Sequence, residues 1–245
     1  MTERVVGVLS VHNEEAFLPF SLPNLAKCSN EVVVVLDRCT DESRTIVEQF
    51  VGSRWFMLEN QTEPRWLNPC AEMKSRGLEY ACLSDCKYVL MIDADVVLDC
   101  EAIGKAKSML DHNVDCDLVS FVYRQYSLFG SCLDRFHDEL SNLLSRFTRR
   151  FKLQPIRTGI YLVRKEKATL RDEPSEYDGL HQELCTAYVI GGIHLRPRHD
   201  RSSQLKRGCA RRSYSQYGFW KVLVSSMIQL QPFMLKGFIQ GKVIN

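Results

Sequence analysis

Four apolar runs constrain what this chain can fold into more than any other feature. They are Val5-Val6-Gly7-Val8-Leu9-Ser10-Val11, Val32-Val33-Val34-Val35 within Glu31 to Leu36, Trp55-Phe56-Met57-Leu58, and Tyr88-Val89-Leu90-Met91-Ile92. Each is short, and nearly all their residues are apolar. A strand wetted on one face alternates apolar with polar, whereas one covered on both faces does not. Helical patterns lie between the runs. Asn13-Glu14-Glu15 opens the first, which carries Phe17, Leu18, Leu22 and Leu25. Acidic residues suit the first turn of a helix. Thr40 or Asp41 can cap the second, with Ile46, Val47 and Phe50, and a third runs from about Ala71 to Cys82. Residues 59–70 read as irregular. Strands alternating with helices imply βαβ units, hence an α/β fold with a mostly parallel sheet flanked by helices. Ligands of such sheets gather at the carboxyl ends of the strands. Asp37 and Asp93-Ala94-Asp95 stand at two of those ends.

The rest of the chain is less regular. Leu118 to Tyr123, Gly159 to Val163 and Tyr188 to Ile193 read as strands, and Phe136 to Phe147 as a helix. From Ser202 the pattern changes. Lys206, Arg207, Arg211, Arg212 and Lys221 are interleaved with Tyr214, Tyr217, Phe219 and Trp220, and an apolar stretch with a few polar breaks follows. Such a segment suits an interfacial helix lying in a membrane surface; a helix packed on the domain or in a dimer is the competing reading. It is too short and too interrupted to span a bilayer. The expected organisation is a catalytic domain over 1–201, with halves 1–100 and 101–201, and a basic amphipathic tail over 202–245.

The net charge of +2 hides an asymmetry: residues 1–145 are acidic on balance and residues 146–245 basic. A basic C-terminal part suits a partner bearing phosphates, anionic lipid headgroups or nucleic acid. Ten cysteines are scattered with no Cys-x-x-Cys pair. That spacing argues against a zinc cluster, and the expectation is reduced, mostly buried thiols. No signal peptide is legible at the start, so a cytoplasmic location is the default expectation.

Two carboxylates flanking one residue, as in Asp93-Ala94-Asp95, can reach one divalent cation; two solvated turn residues are the plainer alternative. Hard oxygen ligands suit Mg²⁺ or Mn²⁺, which keep positions open for substrate phosphates. Asp37 can accept a hydrogen bond from a nucleobase N–H, or it can serve as a turn or helix cap.

The order of these motifs resembles family 2 glycosyltransferases with the GT-A fold. The resemblance is carried by Val8-Leu9-Ser10-Val11-His12-Asn13-Glu14-Glu15, then Val34-Val35-Leu36-Asp37-Arg38-Cys39-Thr40-Asp41-Glu42-Ser43, then Met91-Ile92-Asp93-Ala94-Asp95. It covers roughly the first hundred residues and is looser beyond residue 120. It implies a GT-A, Rossmann-like sheet, a nucleotide-sugar donor (UDP- or GDP-linked), and Mn²⁺ or Mg²⁺. It implies that Val11, His12 and Glu14 lie beside the nucleotide and that Asp37 binds the base. Asp93 would face the ribose or the metal side of the diphosphate, Asp95 would hold the metal, and Lys74 would lie near the donor. The chain departs from the family at Leu36 and at Arg38, where many members have Asp and Gly; the second departure bears on base preference.

The resemblance also implies an inverting reaction with a carboxylate base. Asp178, which opens a helical pattern, fits best, and Glu176 is the alternative. A His near the metal is expected from His194 or His199, and Arg196 and Arg198 can clamp phosphate. Family members with similar tails often use lipid-linked acceptors, so a polyprenyl-type acceptor at the cytoplasmic membrane face is expected. Two other classes compete. A sugar-phosphate nucleotidyltransferase would usually show a Gly-rich first loop, and residues 9–16 contain no Gly. A non-enzymatic lipid- or nucleic-acid-binding module would leave Asp37, Asp93 and Asp95 without a task, so no nucleic-acid partner is expected.

Overall fold

The computed structural model describes residues 3–63, 69–113, 115–126, 160–168 and 186–195, with 128, 136, 139, 140 and 143. The chain divides into two compact units. One holds Met1–Tyr123 with Ile156–Ile193, and the other holds Arg124–Pro155 with His194–Asn245. Most described residues belong to the first.

That unit is built on β1 (Val5–Val11), α1 (Leu18–Cys28), β2 (Glu31–Asp37), α2 (Ser43–Glu48), β3 (Trp55–Asn60), α3 (Pro69–Leu83) and β4 (Tyr88–Asp93). A short β5 (Val96–Val97) leads into α4 (Cys100–His112), followed by β6 (Leu118–Gln125), β7 (Tyr161–Arg164) and β8 (Thr186–His194). The strand order is β3-β2-β1-β4-β7-β6-β8-β5. The first four are parallel, whereas β7 runs antiparallel to both β4 and β6. The expected α/β class holds, and the architecture is that of the GT-A fold.

The uninterrupted strands have the expected cause. Val5, Leu9, Val32, Val34 and Leu90 point to one apolar layer under α1 and α4. Val6, Val8, Val33, Val35, Val89 and Met91 point to the other, under α3. Burying both faces removes the need for alternation. Gly77 sets how closely α3 approaches. A Cβ there would lie 2.4 Å from Val8 Cγ1 and 3.1 Å from Val35 Cγ2.

Several boundaries differ from expectation. The first helix starts at Leu18, not at Asn13, and has no acidic residue in its first turn. Asn13 adopts φ 55° and takes the chain through a turn first, and Pro19 lies in the opening turn, where no N–H is needed, while Pro23 lies inside the helix. Neither Thr40 nor Asp41 is the cap of α2; Glu42 holds that position without a side-chain bond, and Asp41 accepts from Ser43 N–H at 3.0 Å. Helix α4 was not anticipated. Its signal was present, since Asp99 accepts from Glu101 N–H at its start and Ala102, Ile103, Ala106 and Leu110 line its buried face. Phe136, Glu139, Leu140 and Leu143 are helical; the remainder of the expected 136–147 helix lies outside the described residues.

The cysteine expectation needs one correction. Cys28 and Cys100 form a disulfide that joins the end of α1 to the start of α4. Partners 72 residues apart cannot be paired from sequence spacing. Cys39, Cys82 and Cys86 are free thiols, and burial pushes the Cys86 thiol up to about 11. Among the described residues no helix is long and apolar enough to cross a membrane.

Candidate functional site

The carboxyl ends of β1, β2 and β4 form one rim because their registers are in step. Ser10 of β1 lies beside Val35 on one side and Asp93 on the other, and Asp37 ends β2 opposite Asn60 of β3. With β1 between them, β2 and β4 are about 10 Å apart at the standard strand spacing. Asp37 and Asp93 thus share an edge, and Asp95 follows in the turn after β4.

Two interlocked turns build the β1–β2 part of the rim. Both contain a non-glycine residue in the left-handed region, Asn13 (φ 55°) and Arg38 (φ 47°). Asn13 Oδ1 accepts from Thr40 N–H at 2.8 Å. Glu14 N–H donates to Ser43 Oγ at 2.7 Å, and Glu15 N–H donates to Asp41 Oδ2 at 3.1 Å. Glu42 N–H returns a bond to Glu15 Oε2 at 2.9 Å. Glu14 is therefore placed by its main chain, and its carbonyl accepts from Phe17 and Leu18 to start α1. Val11 is buried, and its carbonyl accepts from the Cys39 thiol at 3.5 Å.

Asp37 is only 3% exposed. Its Oδ1 accepts from Asn60 Nδ2 at 2.7 Å and from Arg38 Nε at 3.0 Å, while Oδ2 accepts from Arg38 Nη2 at 3.2 Å. Burial pushes its pKa up, but the hydrogen bonds of Arg38 and Asn60, with the Arg38 charge, outweigh burial and hold it below the ordinary value of 3.8. His12 is half exposed, and its Nδ1 donates to the Asp37 carbonyl at 2.6 Å. A carbonyl oxygen only accepts, so Nδ1 carries the proton of that bond.

Around β4 the charges alternate. Lys74, 1% exposed on α3, places Nζ 2.7 Å from Asp93 Oδ1. Asp93 stays about a third exposed, and Asp95 is 8% exposed. Arg76, one turn from Glu72, donates to Asn60 Oδ1 at 2.9 Å and to Glu72 at 3.3 Å. Helix α3 thus reaches both halves of the rim, through Lys74 to Asp93 and through Arg76 and Asn60 to Asp37.

Of the residues singled out in the sequence, the first unit brings Val11, His12, Glu14, Asp37, Lys74, Asp93 and Asp95 to this rim or its loops. His194 closes β8 and belongs to the second unit, where its carbonyl accepts from Tyr126 N–H at 2.9 Å. Asp178, Glu176, Arg196, Arg198, His199 and the 202–245 tail lie outside the described residues. Among the described residues no group of three His, Cys, Asp or Glu side chains is arranged to hold a metal ion. Sequence reasoning missed Asn60 and Arg76, because β3 extends two residues past Leu58 to pair Asn60 with Asp37.

No protein-family model matches the chain, and no curated protein matches it. Solved structures do. A mycobacterial protein superposes with a TM-score of 0.56 at 18% identity, over 84% of this chain and 71% of that one. Glucosyl-3-phosphoglycerate synthase from Mycobacterium tuberculosis, crystallised with Mn²⁺ and UDP-glucose, gives 0.53 at 16%, over 86% and 77%. Residues 1–349 of TarS from S. aureus give 0.50 at 13%, over 99% and 73%. At these identities the likeness establishes the shared GT-A fold.

Proposed function

We propose that this protein is a metal-dependent glycosyltransferase that takes a sugar from a UDP- or GDP-linked donor. One observation carries the reading. Asp37, Asp93 and Asp95 gather at the carboxyl edge of the parallel part of a GT-A sheet. The crystallisation of a protein of this fold with Mn²⁺ and UDP-glucose supports a nucleotide-sugar donor and a divalent metal here.

The donor set fits a divalent cation. Mg²⁺ and Mn²⁺ commonly take one or two carboxylates and leave other positions to water and substrate phosphates. Two ligands from the protein therefore suffice once a diphosphate is bound. Lys74 offsets the charge of Asp93; Asp95 is the metal ligand of this reading, and Asp93 turns its other oxygen to a ribose hydroxyl. When bound, the cation supplies Lewis-acid stabilisation of the charge that grows on the leaving diphosphate. The remaining roles belong to the chain. Val11, His12 and Glu14 border the nucleoside, and Asp37 sits at the base end. Asp178, or Glu176 in its place, removes the proton of the acceptor hydroxyl as that oxygen attacks the anomeric carbon from the face opposite the departing diphosphate. Arg196 and Arg198 clamp phosphate, and His194 or His199 completes the metal side. The 202–245 tail rests on the cytoplasmic membrane surface and brings a lipid-linked, polyprenyl-type acceptor within reach.

The test is a thermal-shift panel of nucleotide sugars, each with Mn²⁺, Mg²⁺ or chelator. Ligand at a hundredfold excess over Kd stabilises the native state by about 2.7 kcal/mol. One nucleotide sugar should raise Tm only with a cation present, and Asp95→Ala should lose that rise together with sugar transfer. A flat panel with both cations would refute the reading.

A further inference from the structure

The base end of the rim carries a feature that the plain carboxylate reading does not accommodate. Both oxygens of Asp37 are covered by the guanidinium of the next residue, in a two-pronged contact at 3.0 and 3.2 Å, and Asn60 takes a further site on Oδ1 at 2.7 Å. The Asp37 side chain is 5% exposed, whereas that of Arg38 is 26% exposed. The group that meets solvent at the end of β2 is therefore the cation.

Two further observations indicate that this placement is built. Arg38 adopts φ 47°, a conformation that disfavours any residue with a Cβ. Its backbone N–H is tied to the Asn60 carbonyl at 2.9 Å, and Nη1 reaches Glu63 Oε2 at 2.6 Å. A guanidinium has five N–H donors and no acceptor. Among the described residues, the bonds to Asp37 and Glu63 engage three of them. Two donors remain for a ligand.

We infer that Arg38, rather than Asp37, reads the base of the donor nucleotide, and that it selects a base edge carrying two adjacent acceptors. Guanine offers O6 and N7, and cytosine offers N3 and O2. Uracil places an N–H between its two carbonyls, and adenine pairs N7 with an amino group, so each confronts the guanidinium with a donor. With the side-on pair Nε and Nη2 engaged by Asp37 and one Nη1 hydrogen by Glu63, one N–H on each terminal nitrogen is left to meet two adjacent acceptors, the contact by which arginine recognises guanine. Asp37 acts as a positioning residue that holds the fork. This inference rests on the nucleotide-sugar reading and shifts its donor away from UDP, toward GDP- or CDP-linked sugars.

The experiment is calorimetric titration of the full-length protein with UDP, GDP, CDP and ADP in Mn²⁺. It is repeated for Arg38→Lys, which keeps the charge and loses the fork, and for Arg38→Ala. GDP or CDP should bind about tenfold more tightly than UDP and ADP. Both variants should bring the four dissociation constants to within about twofold of one another while circular dichroism stays unchanged. If Arg38→Ala does not fold, Arg38→Lys alone decides. UDP or ADP binding as tightly as the best of the others would overturn the role of Arg38 and leave the glycosyltransferase reading standing. A guanine or cytosine preference that survives in Arg38→Lys would also overturn it. Failure of all four to bind would refute the nucleotide-sugar reading, and this inference with it.

Discussion

At the scale of single residues, Lys74 and Asp93 form an unequal pair. The ammonium is fully buried, while its partner keeps about a third of its surface in water. Removing one partner of a buried pair leaves the other uncompensated, and the cost depends on how far that survivor can rehydrate. Asp93→Asn takes a carboxylate from beside a buried ammonium and should destabilise the protein by about 3 kcal/mol. Lys74→Met leaves a carboxylate that already reaches solvent and should cost about 1 kcal/mol. Urea unfolding of the two variants checks the asymmetry; equal losses would contradict it. The carboxylate was legible from its place after a buried strand, whereas Lys74 came to the same site only through the family resemblance. Neither showed that they touch. Helix rotation and register decide that, and neither is written in the spacing of the charges. Asn60 was invisible for a similar reason, since a polar residue after Leu58-Glu59 looks like the start of a loop.

At the scale of elements, α3 is held against the sheet by the absence of one side chain. In an exposed helix, replacing Gly by Ala stabilises by about 1 kcal/mol. At Gly77 the added methyl would meet stiff, buried valines at 2.4 and 3.1 Å. Overpacking of that kind costs about 1–3 kcal/mol and outweighs the propensity gain. Gly77→Ala should therefore lower the urea midpoint, whereas Gly104→Ala on α4, where nothing lies within 4 Å, should raise it. The strands were legible because burial on both faces leaves an unbroken apolar run. Helix starts were less legible. Acidic residues after β1 look like a first turn, but two residues with positive φ spend them on tying loops together. The α1–α4 disulfide belongs to this scale as well. It closes a separation of 72 residues, for which the chain-entropy relation gives about 4 kcal/mol. Peptide mapping without reductant should recover the Cys28–Cys100 linkage, and reductant should lower Tm by several degrees. Recovery of both thiols free, with Tm unmoved, would contradict the pairing.

At the scale of the molecule, acid sensitivity follows from carboxylates held below their ordinary value. In Asp37, Asp41 and Asp111, burial pushes the pKa up and the local hydrogen bonds more than offset it. Lys87 and Tyr88 supply those bonds at Asp111, and Ser43 with neighbouring main chain at Asp41. A carboxylate with a lowered folded-state pKa contributes stability above the unfolded value, here 3.8, and loses it as pH falls through the folded value. Unfolding free energy should thus drop as pH falls below about 4, and Asp111→Asn, on α4 away from the rim, should flatten part of that slope. Strand order adds a different consequence. The inner edge of β4 is completed by β7, Tyr161–Arg164, some seventy residues later in the chain. A ribosome therefore releases β4 well before its neighbour exists, and its amides and carbonyls wait unpaired in a strand of bare hydrocarbon. An isolated fragment of the first hundred residues would keep that edge permanently open and should stick to its own copies instead of standing alone as a nucleotide-binding module.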